Sequence, residues 1–126
     1  MASEERVTTL SLPAAADHSS NQYKFGAVNT SGQVAVCGDG AKADGVIYNN
    51  PAAAGRATTL AIGGRVKVMA GGAVTVGDDL SSDASGRAVP VVSGDFTLGT
   101  ALEAASAAGD IISMIFQPSN IALQNE

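Results

Sequence analysis

The chain has 126 residues, 45% of them hydrophobic, with only 4% aromatic and no Trp, which suits one domain with a core of small side chains. Its net charge of −5 comes from 12 acidic and 7 basic residues. Lys and Arg are scattered singly, so no basic stripe marks a nucleic-acid partner. Cys37 is the one cysteine, so no intrachain disulfide can form.

Met1 to Arg6 is polar, with no apolar run of a signal peptide behind it, and the expectation is a protein made and used without export. No stretch approaches the roughly 20 apolar residues that span a bilayer, so no membrane is expected. Small side chains bury little area each, which favours oligomerisation.

Residues 1–22 contain no Gly and differ in composition from the remainder of the chain. Arg6, Val7, Thr8, Thr9, Leu10, Leu12 and Pro13 form a segment with extended preference, and Pro13 stops any helix. Leu10 and Leu12 share one face at a period of two. Residues 1–22 read as an extended N-terminal arm able to add to the sheet edge of a partner, or as a fraying tail. The seven residues named from Arg6 to Pro13 are the candidate partner-binding set.

From Tyr23 to Pro118, short apolar runs alternate with turn clusters, the pattern of a β-protein. The predicted strands are Lys24–Asn29, Gln33–Cys37, Gly45–Tyr48, Ala57–Ile62, Arg65–Ala70, Ala73–Val76, Arg87–Val92, Thr97–Leu102 and Asp110–Phe116. Gly63-Gly64 is predicted as a turn between two of them. In Arg65-Val66-Lys67-Val68 the valines point inward and the cations outward. Ile111 to Phe116 is apolar on both faces, as in a central core strand or one covered by a neighbouring subunit. Helix candidates are weak: Pro51–Gly55 makes one turn, and Gly109 cuts short the run from Leu102 to Ala108. Residues 119–126, with Ile121-Ala122-Leu123, form a C-terminal tail expected to pack back or meet a partner.

Chemistry-bearing residues are sparse. His18 lies in a polar run and is expected to be exposed and inert. Cys37 has no His to activate it and reads as a small buried hydrophobe. Asp78, Asp79 and Asp83 lack the order of a calcium loop and read as a solvated turn. Glu103 and Asp110 are too far apart in sequence to be paired as acid and base. No phosphate-cradling loop is present, and the sequon Asn29-Thr30-Ser31 is irrelevant without export. No catalytic, cofactor or metal residues are assigned, and the chain is expected not to be an enzyme.

The order of features from Gly26 to Phe116 resembles the small cement, or decoration, proteins of tailed bacteriophages, related in fold to the lambdoid head-decoration protein. The carrying residues are Gly45-Val46-Ile47, the small-residue loop to Gly55, Ala57–Ile62 and Arg65–Met69. Then come Ala73-Val74-Thr75-Val76-Gly77-Asp78-Asp79-Leu80, the hairpin at Ser85-Gly86-Arg87-Ala88, and Leu98 to Ala105. A Gly109-Asp110 turn leads into the last strand.

The resemblance implies a mainly β fold: a small β-barrel or β-tulip domain over residues 23–118, with little helix and an N-terminal arm that orders on the capsid. It implies homotrimers bound to the major capsid protein on the outer surface of the virion, after synthesis in the host cytoplasm. It carries over no catalytic residues. The competing class is a carbohydrate-binding module, tail-associated or on a cell surface. It would need exposed aromatics, and only Tyr23, Tyr48, Phe25, Phe96 and Phe116 exist.

Overall fold

The computed structural model describes the backbone of residues 5–118 and the side chains from Thr8 onward. The predicted tail, residues 119–126, lies outside the described residues, as do Met1 to Glu4. The described chain is mainly β and contains no helix.

Nine strands run in chain order: β1 (Glu5–Pro13), β2 (Phe25–Val28), β3 (Val34–Val36), β4 (Gly45–Ile47), β5 (Ala57–Met69), β6 (Asp79–Ser82), β7 (Ala88–Pro90), β8 (Gly99–Ala101) and β9 (Ile111–Phe116). They form one sheet in the order β3-β2-β4-β5-β9-β8-β6-β7, with β1 paired to β5 off this path. Every strand pair is antiparallel.

The sheet curls into a half-barrel. Its β6–β7 hairpin returns to the start of the path. Phe25 N–H donates to Gly86 O at 2.7 Å, and Gly40 N–H to Ser82 O at 2.8 Å. Ala70 and Ala88 form an isolated parallel bridge. Gly86 makes the return possible, since a Cβ there would meet Val36 Cγ1 at 2.6 Å and its φ is +79°.

The central strand β5 corrects the expected turn. Gly63 and Gly64 lie inside one 13-residue strand and do not separate two. The half before them pairs with β1 and β4 and the half after them with β9, while β1 runs on past the pair to Arg65. Gly64 has φ +91°, and the strand bends at this pair without ending.

Two further expectations are overturned. Ala73–Val76 is not a strand; Val74 makes one isolated bridge with Ala105. The strand falls instead on β6, within the residues expected to be a solvated turn, and Leu80, Ser81 and Ser82 are fully buried there. Short apolar runs carry no period long enough to choose between these neighbouring windows.

The main core joins Phe25, Val46, Val66, Val68, Leu80, Leu98, Ile112, Met114 and Phe116 with small residues such as Ala61, Ala70 and Ala101. Val66 and Val68 point inward as predicted. A smaller cluster of Val34, Ile47 and Leu60 sits under Leu12 and Ile62. Strand β9 is central, between β5 and β8. Its Ile112, Ser113, Met114 and Phe116 are buried, while Ile115 is 41% exposed.

Candidate functional site

The candidate partner-binding residues fall in β1. Leu10 lies opposite Leu60, Leu12 opposite Thr58 and Pro13 opposite Ala57. The segment is therefore extended, and it lies along β5 of its own chain. Arg6 and Val7 belong to the strand by backbone alone. Thr8, Thr9, Leu10, Ser11 and Pro13 are exposed, and Leu12 is half-buried. Leu12 packs on the Val34, Ile47 and Leu60 cluster, while Leu10 is 38% exposed.

The edges of the sheet differ in how they are covered. β3 is bridged by Ala14, and Ala15 N–H donates to Val34 O at 2.8 Å. β7 contains Pro90, and Gly71 N–H donates to Ala88 O at 2.7 Å. Among the described residues no strand pairs with β1 except β5. A strand edge of this kind is a template for another chain.

Beside β1 is a shallow, open depression of about 210 Å³ lined by Ser11, Leu12, Pro13, Gly55 and Ala57. Gly55 and Ala57 were not candidates from sequence. The register Pro13 opposite Ala57 and the Gly55 N–H bond to Ala14 O, at 2.8 Å, bring them to the strand. Beyond register shifts on both sides of Thr8, Glu5 lies opposite Arg65, whose other partner is Ile115 of β9. The start of β1 and the end of β9 thus flank one residue of β5.

Elsewhere the polar groups hold turns. Asp83 accepts from Ser85 N–H, Arg87 N–H and Arg87 Nε, the last at 3.0 Å. Asp78 accepts from Thr75 N–H. Ser106 and Ala107 amides donate to Asp110 and hold its carboxyl below the usual range. The Ser19 amide does the same for Asp17. Glu103 accepts from Ser113 N–H at 2.8 Å. Cys37 is 1% exposed, as expected, and burial pushes its thiol up. Among the described residues no group of three or more His, Cys, Asp and Glu side chains could hold a metal ion.

His18 corrects an expectation. It is 1% exposed, not a surface residue. Its polar neighbours in sequence concealed this, because the carbonyls that satisfy it come from β3 and from Pro51.

A family model described as phage cement protein matches residues 14–116. The chain belongs to the phage cement protein family. The match begins at Ala14, so β1 lies outside it. Among solved structures, the N base of the head fiber in bacteriophage phi29 has a similar fold, with a TM-score of 0.71 and 20% identity. The similarity covers 87% of this cement-family chain and 95% of the other. No curated protein matches.

Proposed function

We propose that this protein decorates the outside of a phage head as a homotrimer, contacts the major capsid protein and stabilises the shell without catalysing a reaction. The observation that carries this reading is the family match over residues 14–116. The phi29 neighbour supports a head-associated use of the fold. On this reading the protein is made in the host cytoplasm and ends on the outer face of the virion, where its net negative charge does not meet packaged DNA.

β1 is the proposed capsid contact. It presents Thr8, Thr9, Leu10 and a strand edge, and its depression accepts a small apolar side chain. Half-exposed Ile115 next to Arg65 is the proposed start of a contact between copies. A clamp that binds the assembled lattice better than its separated subunits stabilises the lattice by mass action.

Heads prepared with and without the protein test the reading. Occupied heads should resist heat to a higher temperature, and the bound species should have three subunits by mass. No binding to heads, or equal disruption temperatures at full occupancy, would overturn the stabilising role. Bound subunits that sit singly would overturn the trimer.

A further inference from the structure

Both ring nitrogens of buried His18 are engaged. Nε2 lies 2.8 Å from Val34 O of β3, and Nδ1 lies 2.9 Å from Asn21 Nδ2. A carbonyl only accepts, so Nε2 carries the proton and donates. A side-chain amide nitrogen only donates, so Nδ1 is bare and accepts. The orientation of Asn21 is set from its other side, where Oδ1 accepts from Lys24 Nζ at 3.1 Å. The backbone around the ring is tied too. His18 N–H donates to Pro51 O at 2.8 Å, and Asn21 N–H to His18 O at 3.0 Å.

We infer that His18 is an acid-sensitive latch: its neutral ring ties Asn21 to Val34 of β3 and so fastens residues 14–22, and through them the end of β1, while a second ring proton breaks the tie on the Asn21 side, leaves a buried charge and loosens the segment. A second ring proton would sit on Nδ1 and face the amide donor of Asn21. Flipping that amide would offer an oxygen to the ring, but would turn the NH2 group onto the Lys24 ammonium. A hydrogen bond is lost either way, and a charge is left in a buried place.

The charged groups that face this network are Asp17 and Lys24. Asp17 is exposed, and its Oδ1 is taken by Ser19 N–H at 2.9 Å. Lys24 adds like charge on the far side of Asn21. β3 contributes the Val34 carbonyl. The segment from Pro51 contributes carbonyls and Arg56, whose side chain is exposed. The Asn21 bond requires a bare Nδ1. The latch is therefore closed while the ring is neutral and opens when Nδ1 takes up a proton. The inference concerns the free protein and does not depend on the capsid role.

Amide exchange of the free protein, corrected for intrinsic rates, tests it at about pH 7.5 and about pH 5. Protection of the Ala15, His18 and Asn21 amides should fall about tenfold or more in acid, while amides of β9 keep theirs. Asn21→Asp offers an acceptor to the protonated ring and should abolish that loss. Nitrogen NMR of the ring at neutral pH should place the proton on Nε2. Equal protection of the three amides at both pH values, or a proton on Nδ1 at neutral pH, overturns the latch. If Asn21→Asp does not fold, the comparison with β9 within the unmodified protein decides alone.

Discussion

The Tyr48 hydroxyl accepts the backbone N–H of Lys67 at 2.7 Å, while the Tyr48 N–H donates to Thr59 O at 2.8 Å. Residues 59 and 67 of a straight strand would lie about 26 Å apart. One tyrosine reaches both only because β5 bends at Gly63-Gly64. The bond thus braces the bend that turns a flat sheet into a half-barrel. Tyr48→Phe keeps the edge-to-face packing on Tyr23, whose ring centroid is 5.5 Å away, and removes the hydroxyl. We expect a loss of about 1–2 kcal/mol in urea unfolding, because the Lys67 N–H loses this acceptor. An unchanged midpoint would mean that the bend is held by the glycines alone.

Two glycines in the sheet should respond oppositely to alanine. A Cβ on Gly99 would collide with Ile115 O and meet Met114 Cε at 2.5 Å. Both neighbours belong to β9, and the carbonyl is backbone that cannot yield without shifting the strand. Gly99→Ala should cost about 3 kcal/mol or more. Gly63 has nothing within 4 Å of its Cβ position, and Gly63→Ala should stay within about 0.5 kcal/mol of the parent. Thermal unfolding of the two variants side by side checks the contrast.

How far these features could be read from the sequence depends on where their partners come from. The inward face of β5 was legible because Val66 and Val68 alternate with cations over four consecutive residues. The mainly β class came from the turn clusters, and the resemblance to the cement family pointed to a β-barrel or β-tulip, where the sheet curls into a half-barrel. The bend in β5 was not legible, because Gly63-Gly64 spells a turn to any local rule, and only pairing with β1 on one stretch and β9 on the next makes it one strand. The burial of His18 and the depression at Gly55 escaped for the same reason. Their partners, Val34 and Pro13, are far away in sequence.

Acid should weaken the turn before β9 separately from any effect at His18. The Asp110 carboxylate accepts from Ser106 N–H at 3.0 Å, from Ala107 N–H at 3.2 Å and from Ser106 Oγ at 3.3 Å. These bonds favour the ionised form, so the folded-state value lies below the ordinary 3.8. Stability from this group is complete above the unfolded value and is lost as pH falls through the lower, folded one. Asp110→Asn should therefore lower the melting temperature at neutral pH. The gap between variant and parent should close in strong acid, below the usual carboxylate range. A gap that persists there would assign the loss to packing and not to ionisation.

Cys37 should behave as a reporter of unfolding. Its sulfur is enclosed and lies within reach of the Gly38, Ala41 and Lys42 carbonyls, at 3.4 to 3.6 Å. Burial raises its pKa, which keeps the thiol protonated at neutral pH. A thiol reagent should label the folded protein only as fast as the chain opens, and denaturant should raise the rate steeply. Rapid labelling of the folded protein would contradict this enclosure.

Leu10 and Leu12 separate the two roles assigned to β1. They share one face of the strand, but Leu12 packs on Val34, Ile47 and Leu60 while Leu10 remains 38% exposed. Leu12→Ala should therefore be a folding variant. It removes part of a half-buried contact and should cost about 1–2 kcal/mol, below the range for a fully buried leucine. Leu10→Lys touches no buried cluster and should leave the melting temperature within a few degrees of the parent. If β1 is the capsid contact, this same substitution should weaken binding to heads by roughly tenfold, since it places a charge where an apolar anchor is desolvated. Removing residues 2–13 altogether is a coarser experiment, because it also strips β5 of one of its partners and uncovers the Leu60 cluster. The point substitution keeps the strand in place. Binding by Leu10→Lys as tight as that of the parent, with both proteins folded, would move the interface off this face of β1.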